Sequence, residues 1–275
     1  MRAAEDCWID GAPADRVPVA DRGLQYGDGL FETIACRDGG ARFLDLHLAR
    51  LARGCARLGM PAPAAALLRA EIAQFAAGGG RCIVKLIVTR GSSAVRGYAA
   101  PPDAQPRRIL QRFGWPDDGG AAERGIEAEF SAVPASVNPL LAGLKHLNRL
   151  DNVLARSRLQ GSRCAEALMC TPDGTLVGGT MSNLFVVRGN ALETPSLEAA
   201  GVAGIMRAVV LREAAALGIA TSERHLRPAD LAHASEIFVT NARIGLWPLR
   251  RIGEWQGVAG PVLRGLQARI ESLSV

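Results

Sequence analysis

Lysine is nearly absent from this 275-residue chain. Of its 32 basic residues only two are lysines, Lys85 and Lys145, and the other 30 are arginines. A lysine amine can lose its proton and act as a nucleophile or a base, whereas a guanidinium stays charged. Two candidates for amine chemistry therefore stand out, although two lysines can also persist by chance.

Aromatic residues make up only 5% of the chain, and the net charge of +5 is spread along it. No basic run is interleaved with aromatic residues, so nucleic-acid binding is not indicated. No apolar run is long enough to span a bilayer, and the opening MRAAEDCWIDG lacks the apolar core of a signal peptide. These absences predict a soluble cytoplasmic protein that binds neither nucleic acid nor membrane. The mild positive charge suits a small anionic ligand.

Two further kinds of motif are missing. The six cysteines form no CxxC pair and no Cys/His cluster with zinc spacing, which indicates reduced thiols and no metal site. Neither GxxxxGK[ST] nor GxGxxG before a helix occurs, so nucleotide binding is not indicated.

Hydrophobic residues reach 48%, enough for a large core. Strand-like and helix-like stretches are interspersed along the chain, and WPDDGG interrupts both patterns near residue 115. The pattern predicts a two-domain α/β (α+β) enzyme with a small N-terminal α/β domain, 1–113, a linker, 114–120, and a larger C-terminal domain, 121–275. Predicted strands cover 30–36, 82–89, 108–113, 126–133, 165–170, 175–177, 183–187 and 236–240; predicted helices cover 44–58, 62–77 (closed by Gly78–Gly80), 147–160, 205–217 and 262–272.

Lys145 follows an apolar, glycine-containing lead-in at the mouth of the predicted helix 147–160. Burial and the positive end of the helix dipole both disfavour an ammonium, so this position favours the free amine. Lys85 lies in the middle of a predicted strand, where it faces either solvent or a cleft.

Two glycines in the stretch AGVAGIMR precede the predicted helix 205–217. The first N–H groups of a helix have no internal partners and can bind a phosphate, although most such turns only start a helix. Arg50 is either a surface residue or the cation for that phosphate.

Five motifs, in this order along the whole chain, resemble those of fold-type IV pyridoxal-phosphate enzymes: RGLQYGDGLFET (22–33), HLARL (47–51), KHLNRL (145–150), MSNLF (181–185) and GIMR (204–207). Within that class KHLNRL, TRG (89–91) and RGY (96–98) resemble aminodeoxychorismate lyases more than branched-chain or D-amino-acid aminotransferases.

The resemblance implies pyridoxal 5'-phosphate as cofactor, bound to Lys145 as a Schiff base, a C-terminal domain with a β-barrel-like core, and a homodimer. It implies a lyase that converts 4-amino-4-deoxychorismate to 4-aminobenzoate and pyruvate for folate biosynthesis. An amino-acid aminotransferase and a non-catalytic homologue remain alternatives. By the same resemblance, Arg50, Ile205, Met206 and Asn241 serve the phosphate. The residues that the resemblance assigns to catalysis or the substrate pocket are Thr33, Tyr26, Lys85, Arg96 and Tyr98.

Gly178 departs from the family pattern. The family usually has a glutamate there, whose carboxylate pairs with the pyridine nitrogen of the cofactor, and this chain has Val177-Gly178-Gly179. Without that anion the cofactor ring withdraws electrons less strongly. A lyase with an aromatic product tolerates this better than an aminotransferase, but the change also suggests a weakened enzyme. Glu166, on a neighbouring predicted strand, is the one nearby carboxylate whose direction the sequence leaves open.

Overall fold

The computed structural model describes residues 6–77 and 80–273 and divides them into two compact units. The first unit contains the chain up to Pro116 together with residues 145–148, and the second contains 117–144 and 149 onward. The break at Pro116 lies inside the predicted linker. The return of residues 145–148 to the first unit differs from the expectation of one continuous C-terminal domain.

A six-stranded antiparallel sheet forms the first unit, in the order β2-β1-β6-β5-β3-β4. One face of β3 and β5 is buried against α2 and α3, whereas Phe31, Thr33, Lys85 and Ile87 lie half-buried on the other face. The elements of this unit are β1 (Cys7–Ile9), β2 (Ala12–Pro13), α1 (Arg22–Tyr26), β3 (Gly29–Arg37), β4 (Gly40–Ala41), α2 (Leu44–Arg57), α3 (Ala65–Ala76), β5 (Arg81–Thr89) and β6 (Arg107–Gly114).

A nine-stranded mixed sheet forms the second unit, with strand order β12-β11-β10-β13-β14-β7-β8-β9 and β15 paired to β14. Its apolar core includes Leu168, Leu184, Val186, Val239 and Leu249. The elements are α4 (Ala121–Arg124), β7 (Ile126–Phe130), α5 (Leu150–Ser157), β8 (Glu166–Cys170), β9 (Leu176–Gly179), β10 (Asn183–Arg188), β11 (Ala191–Pro195), α6 (Ile205–Ala216), β12 (Ala220–Arg224), a 3-10 helix (Pro228–His233), β13 (Glu236–Asn241), β14 (Gly245–Ile252), β15 (Trp255–Gln256) and α7 (Pro261–Glu271).

The largest differences from the predicted elements concern two segments, and one prediction cannot be assessed. The helix expected over 147–160 is shorter, Leu150–Ser157, because residues 145–147 pair with β3 instead. The loop expected before β3 contains the short helix α1, which Asp21 caps by accepting a hydrogen bond from the Gly23 N–H at 2.8 Å. Gly78 and Gly79, expected to close α3, lie outside the described residues.

Within the described ranges, none of the helices is long and apolar enough to cross a membrane. In the same residues, no group of three or more His, Cys, Asp or Glu side chains is placed to hold a metal ion.

Candidate active site

Lys145 lies in an extended segment on the edge of β3. Its carbonyl accepts a hydrogen bond from the Phe31 N–H at 2.9 Å, and the Leu147 N–H donates to the Gly29 carbonyl at 3.0 Å. Two motifs more than 100 residues apart in sequence are thus joined by strand pairing. The helix-dipole argument for Lys145 is wrong, because α5 begins five residues later and the dipole acts within the first turn of a helix.

Both lysines of the chain contact one aromatic ring. The Lys145 Nζ lies 4.0 Å from the centre of the Phe31 ring, and the Lys85 Nζ lies 5.7 Å from it. Lys85 is the direct cross-strand partner of Thr33, on the face that also carries Phe31. The structure therefore brings Thr33, Lys85 and Lys145 together, and it resolves the open orientation of Lys85 in favour of this face.

A buried charged cluster stands on the opposite face of β3. The Glu32 carboxylate accepts hydrogen bonds from His47 Nδ1 at 2.6 Å and from Arg50 Nε at 2.8 Å, and Arg50 Nη2 also contacts it. Burial raises the pKa of Glu32, but the hydrogen bonds from His47 and Arg50 and the charge of Arg50 outweigh it and bring that pKa to about 2. Burial lowers the pKa of His47, so the cluster contains an anionic carboxylate and a neutral imidazole near neutral pH.

Sequence reasoning missed Glu32 and His47 as a pair. Their separation of fifteen positions excludes a local contact, although an acidic residue in a strand of otherwise apolar residues was a usable signal. Arg50, expected to bind the cofactor phosphate, is instead seen paired to Glu32 through two nitrogens. A guanidinium has five N–H donors, so this pairing is compatible with an additional anion.

Tyr26 and the loop between β5 and β6 come together in the first unit. The rings of Tyr26 and Tyr98 meet edge to face with their centres 5.4 Å apart. Arg96 and Tyr98 are solvent-exposed, Tyr98 to 87%. Three of the side chains expected to line the substrate pocket thus belong to one corner of this unit.

In the second unit, the start of α6 has the shape of an anion cup. Helix α6 has no side-chain cap at its N-terminus, and Gly204 precedes it. A Cβ atom on Gly204 would stand 1.9 Å from Asn183 Oδ1, so the close approach of loop and side chain requires glycine. Ile205 and Met206, whose N–H groups open the helix, are buried. The residues present fit a phosphate held by backbone N–H groups.

Gly143 pairs with the loop before α6 inside the second unit. The Gly143 N–H donates to the Gly201 carbonyl at 2.9 Å, and the Ala203 N–H donates to the Gly143 carbonyl at 3.0 Å. Only one residue of the sequence separates Gly143 from Lys145. Strand-like pairing therefore fixes the backbone just before the candidate amine.

Gly178 occupies a backbone conformation that favours glycine. Its φ is 151°, and a Cβ atom there would lie 2.8 Å from the Ser182 carbonyl oxygen. The local backbone is therefore adapted to the absence of a side chain. The place of Gly178 in the cofactor site, expected from the resemblance, stays a prediction.

Glu166 is committed to the turn that follows Gly178. Its buried carboxylate accepts hydrogen bonds from the Thr180 N–H at 2.9 Å and from Ser182 Oγ at 2.8 Å, and also contacts the Thr180 hydroxyl. These contacts answer the open question of its direction: Glu166 shapes the turn of residues 179–182.

Asn241 also has a local structural task. Its Oδ1 accepts hydrogen bonds from the Arg243 and Ile244 N–H groups at 3.0 Å, and its Nδ2 donates to the Met181 carbonyl at 3.1 Å. Its expected place beside the cofactor phosphate stays a prediction.

Comparison with known proteins decides the family. The model of the class IV amino-transferase family matches residues 29–252, most of the chain. The chain belongs to this family. The chain is 31% identical to the aminodeoxychorismate lyase of Vibrio harveyi over 251 residues, which cover 89% of this chain and 90% of that protein.

Solved structures agree with this assignment. The crystal structure of 4-amino-4-deoxychorismate lyase from Pseudomonas aeruginosa superposes with a TM-score of 0.92 at 44% identity, covering 96% of this chain and 98% of that one. The branched-chain amino acid aminotransferase of Escherichia coli matches with a TM-score of 0.85 at 24% identity, covering 98% and 94%, and shows the shared fold. The predicted two-domain α/β fold of the type IV class is thereby confirmed.

Proposed function

We propose that this class IV protein is a pyridoxal-phosphate-dependent lyase that converts 4-amino-4-deoxychorismate to 4-aminobenzoate and pyruvate for folate biosynthesis. The observation that carries the proposal is the 44% identity to the Pseudomonas aeruginosa lyase over nearly the full length of both chains. The placement of the two lysines and the cup at the start of α6 support it.

A small set of residues contacts the cofactor in this proposal. Lys145 provides the amine that attaches the cofactor, and the N–H groups of Ile205 and Met206 hold its phosphate, with Arg50 adding positive charge. When bound, the cofactor supplies electron withdrawal from the carbon that carries the substrate nitrogen. Glu166 holds the turn that follows Gly178 through hydrogen bonds, and this turn gives the adjoining part of the proposed cofactor pocket a fixed shape.

Lys145 also moves the proton that the reaction requires. As a free amine it removes the proton from the ring carbon bearing the substrate nitrogen. The bond from the ring to the enolpyruvyl oxygen then breaks, the ring becomes aromatic, and enolpyruvate leaves and takes up a proton at its methylene carbon to become pyruvate. Aromatisation supplies much of the driving force, so the chain's main task is to position groups.

Cationic and hydroxyl groups of the first unit recognise the substrate. Lys85 and Arg96 contact substrate carboxylates, and Tyr26 and Tyr98 line the pocket beside them. Thr33, directly across from Lys85, contributes its hydroxyl next to the reacting carbon.

We further propose a homodimer in the cytoplasm. Leu150, Val153 and Leu154 lie on one face of α5 and are 54–74% exposed, a pattern typical of an interaction surface. The six cysteines are all free, as expected in a reducing compartment. Sedimentation velocity tests the assembly, and a monomer at micromolar concentration would contradict it.

The decisive assay uses the purified protein with added pyridoxal phosphate and 4-amino-4-deoxychorismate, with pyruvate release measured by a coupled reaction. We expect pyruvate and 4-aminobenzoate in equal amounts, with neither formed by the Lys145→Ala protein. Keto-acid formation from D-alanine or branched-chain amino acids, without pyruvate from aminodeoxychorismate, would instead establish the aminotransferase alternative. A protein that binds the cofactor and performs neither reaction would be the weakened homologue.

A further inference from the structure

The loop between β5 and β6 has a tightly closed neck. The Asp21 carboxylate, fully buried, accepts hydrogen bonds from Thr89 Oγ1 at 3.0 Å and from Arg107 Nη1 at 2.7 Å, one on each side of the loop. Gly91 passes so near the other arm that a Cβ atom would lie 2.0 Å from the Gln105 carbonyl oxygen. The base of this loop is therefore rigid, whatever its tip does.

Arg22 binds the tip of the loop, residues 94–100, through two backbone carbonyls. Its Nη1 donates to the Gly97 carbonyl and its Nη2 to the Tyr98 carbonyl, both at 3.0 Å, while its Nε donates to Asp28 Oδ2 at 2.9 Å. In the described part of the chain, the other hydrogen bonds of residues 94–100 are local ones, between Val95 and the Ser93 hydroxyl at 3.0 and 3.1 Å. Consecutive residues thus hold the neck and the tip of one loop.

The geometry requires an arginine. A planar guanidinium can bind two successive carbonyls with its terminal nitrogens and a carboxylate with Nε, which a lysine amine cannot do. Gly97 has a φ of 116°, a conformation available to glycine at the point where both carbonyls meet Arg22. The guanidinium also lies 4.9 Å from the centre of the Tyr26 ring, against which Tyr98 packs.

We propose that Arg22 is a positioning residue for substrate binding, which holds the loop tip so that Arg96 and Tyr98 stand ready to receive the anionic substrate. The proposal rests on the lyase function for the identity of that substrate. Arg22 itself is buried, 3% exposed, and acts through the backbone of its neighbours on the loop. Its loss leaves the loop in place at the neck but lets the tip move, which raises the entropy lost on binding.

Arg90 offers a matched control. It also donates to Asp28 Oδ2, at 2.7 Å, is also buried, and also binds two successive carbonyls. Its carbonyl partners, Leu58 and Gly59, follow α2 and lie outside the loop. A change at Arg90 therefore disturbs the same carboxylate and costs comparable stability without releasing the tip.

The experiment compares Arg22→Gln and Arg90→Gln in the holoenzyme. We expect KM for aminodeoxychorismate to rise about tenfold in Arg22→Gln with kcat changed less than about threefold, and KM to stay within about twofold in Arg90→Gln. Arg22→Lys keeps the positive charge but loses the two terminal nitrogens that bind successive carbonyls, so its KM should lie near that of Arg22→Gln. Equal KM changes in the Arg22 and Arg90 variants, or none in either, would overturn the proposal.

A second measurement is independent of turnover. Trypsin cleavage after Arg96, followed by mass spectrometry, reports how often the tip opens. We expect cleavage at this bond to be about tenfold faster in Arg22→Gln and Arg22→Lys than in wild type and in Arg90→Gln. If the wild-type protein lacked lyase activity, the cleavage rates would still test whether Arg22 holds the loop tip. Equal cleavage rates in all four proteins would refute that role.

Discussion

In the first unit the candidate functional groups are side chains, whereas in the second unit they are parts of the backbone. Around β3 the first unit gathers two lysines and the Glu32–His47–Arg50 cluster. The second unit presents the open N-terminus of α6 and a turn whose shape Glu166 maintains. In the first unit, a substitution at one of these side chains removes a reactive or charged group. In the second unit, a substitution that adds atoms changes the shape of the backbone at the start of α6 or in the turn.

This contrast predicts opposite kinds of sensitivity. The side-chain groups of the first unit should lose function when their charge or acidity changes at constant size. The backbone groups of the second unit should lose function when a single carbon is added at constant charge.

The largest effect is expected from exchanging the two rare lysines for arginine. Lys145→Arg keeps the charge but cannot lose a proton, so kcat should fall by about 10³-fold or more. Lys85→Arg, the matched control, preserves a cation for a carboxylate and should keep kcat within about tenfold. Steady-state pyruvate release measures both, and cofactor attachment is followed by mass after borohydride reduction. A Lys145→Arg protein that still attaches the cofactor would remove the central assignment.

The buried cluster should make stability depend on acid. The pKa of Glu32 is lowered to about 2 in the fold from an ordinary value of 4.5, so the unfolded state binds the proton more readily. The stabilisation is therefore fully present above pH 4.5 and lost as the pH falls towards 2, by about 3 kcal/mol in total. Urea unfolding between pH 5 and 3 should show a steeper loss in wild type than in Glu32→Gln, by up to about 1.4 kcal/mol per pH unit below pH 4.5. Parallel slopes would show that the carboxylate has no such role.

Several elements were predictable because their patterns are strong and local. The helical spacing of Leu48, Leu51 and Cys55 gave α2 within a residue, and the run of β-branched residues gave β5. Strand β12, with the polar sequence ATSER, has no apolar alternation, and β14 carries Pro248, which argues against a strand. These strands form because they pair with neighbouring strands, and the local sequence does not show which segments will pair.

The site was predictable to a similar degree. The motif of Lys145 identified the amine, but only the pairing of its carbonyl with Phe31 shows where it lies. The partner of Arg50 is Glu32, and the partner of Arg22 is the tip of a loop 75 residues away. Such contacts follow from tertiary packing, so sequence spacing gives no hint of them.

The cup at α6 tests the backbone half of the comparison. Gly204→Ala adds one carbon where Asn183 Oδ1 lies 1.9 Å away, so the loop or Asn183 must move. We expect affinity for pyridoxal phosphate to fall about tenfold, measured by absorbance titration, a change of about 1.4 kcal/mol. Gly265→Ala in α7 is the control, because among the described residues nothing lies within 4 Å of its added carbon. Equal affinities in the two variants would contradict the proposal that the start of α6 binds the cofactor phosphate.

Gly178 sets the smallest expected effect, since it mixes both kinds of sensitivity. Gly178→Glu restores the carboxylate usual in the family, but its Cβ meets the Ser182 carbonyl at 2.8 Å in a glycine conformation. Gly178→Ala introduces the same strain without the carboxylate, and both should lose about 1–2 kcal/mol of stability. The ratio of their turnover numbers therefore isolates the charge. We expect Gly178→Glu to exceed Gly178→Ala by less than about tenfold, with a shift in cofactor absorbance in the Glu variant alone. A ratio of one without a spectral shift would mean that the backbone here has been remodelled around glycine so far that a carboxylate no longer reaches the cofactor.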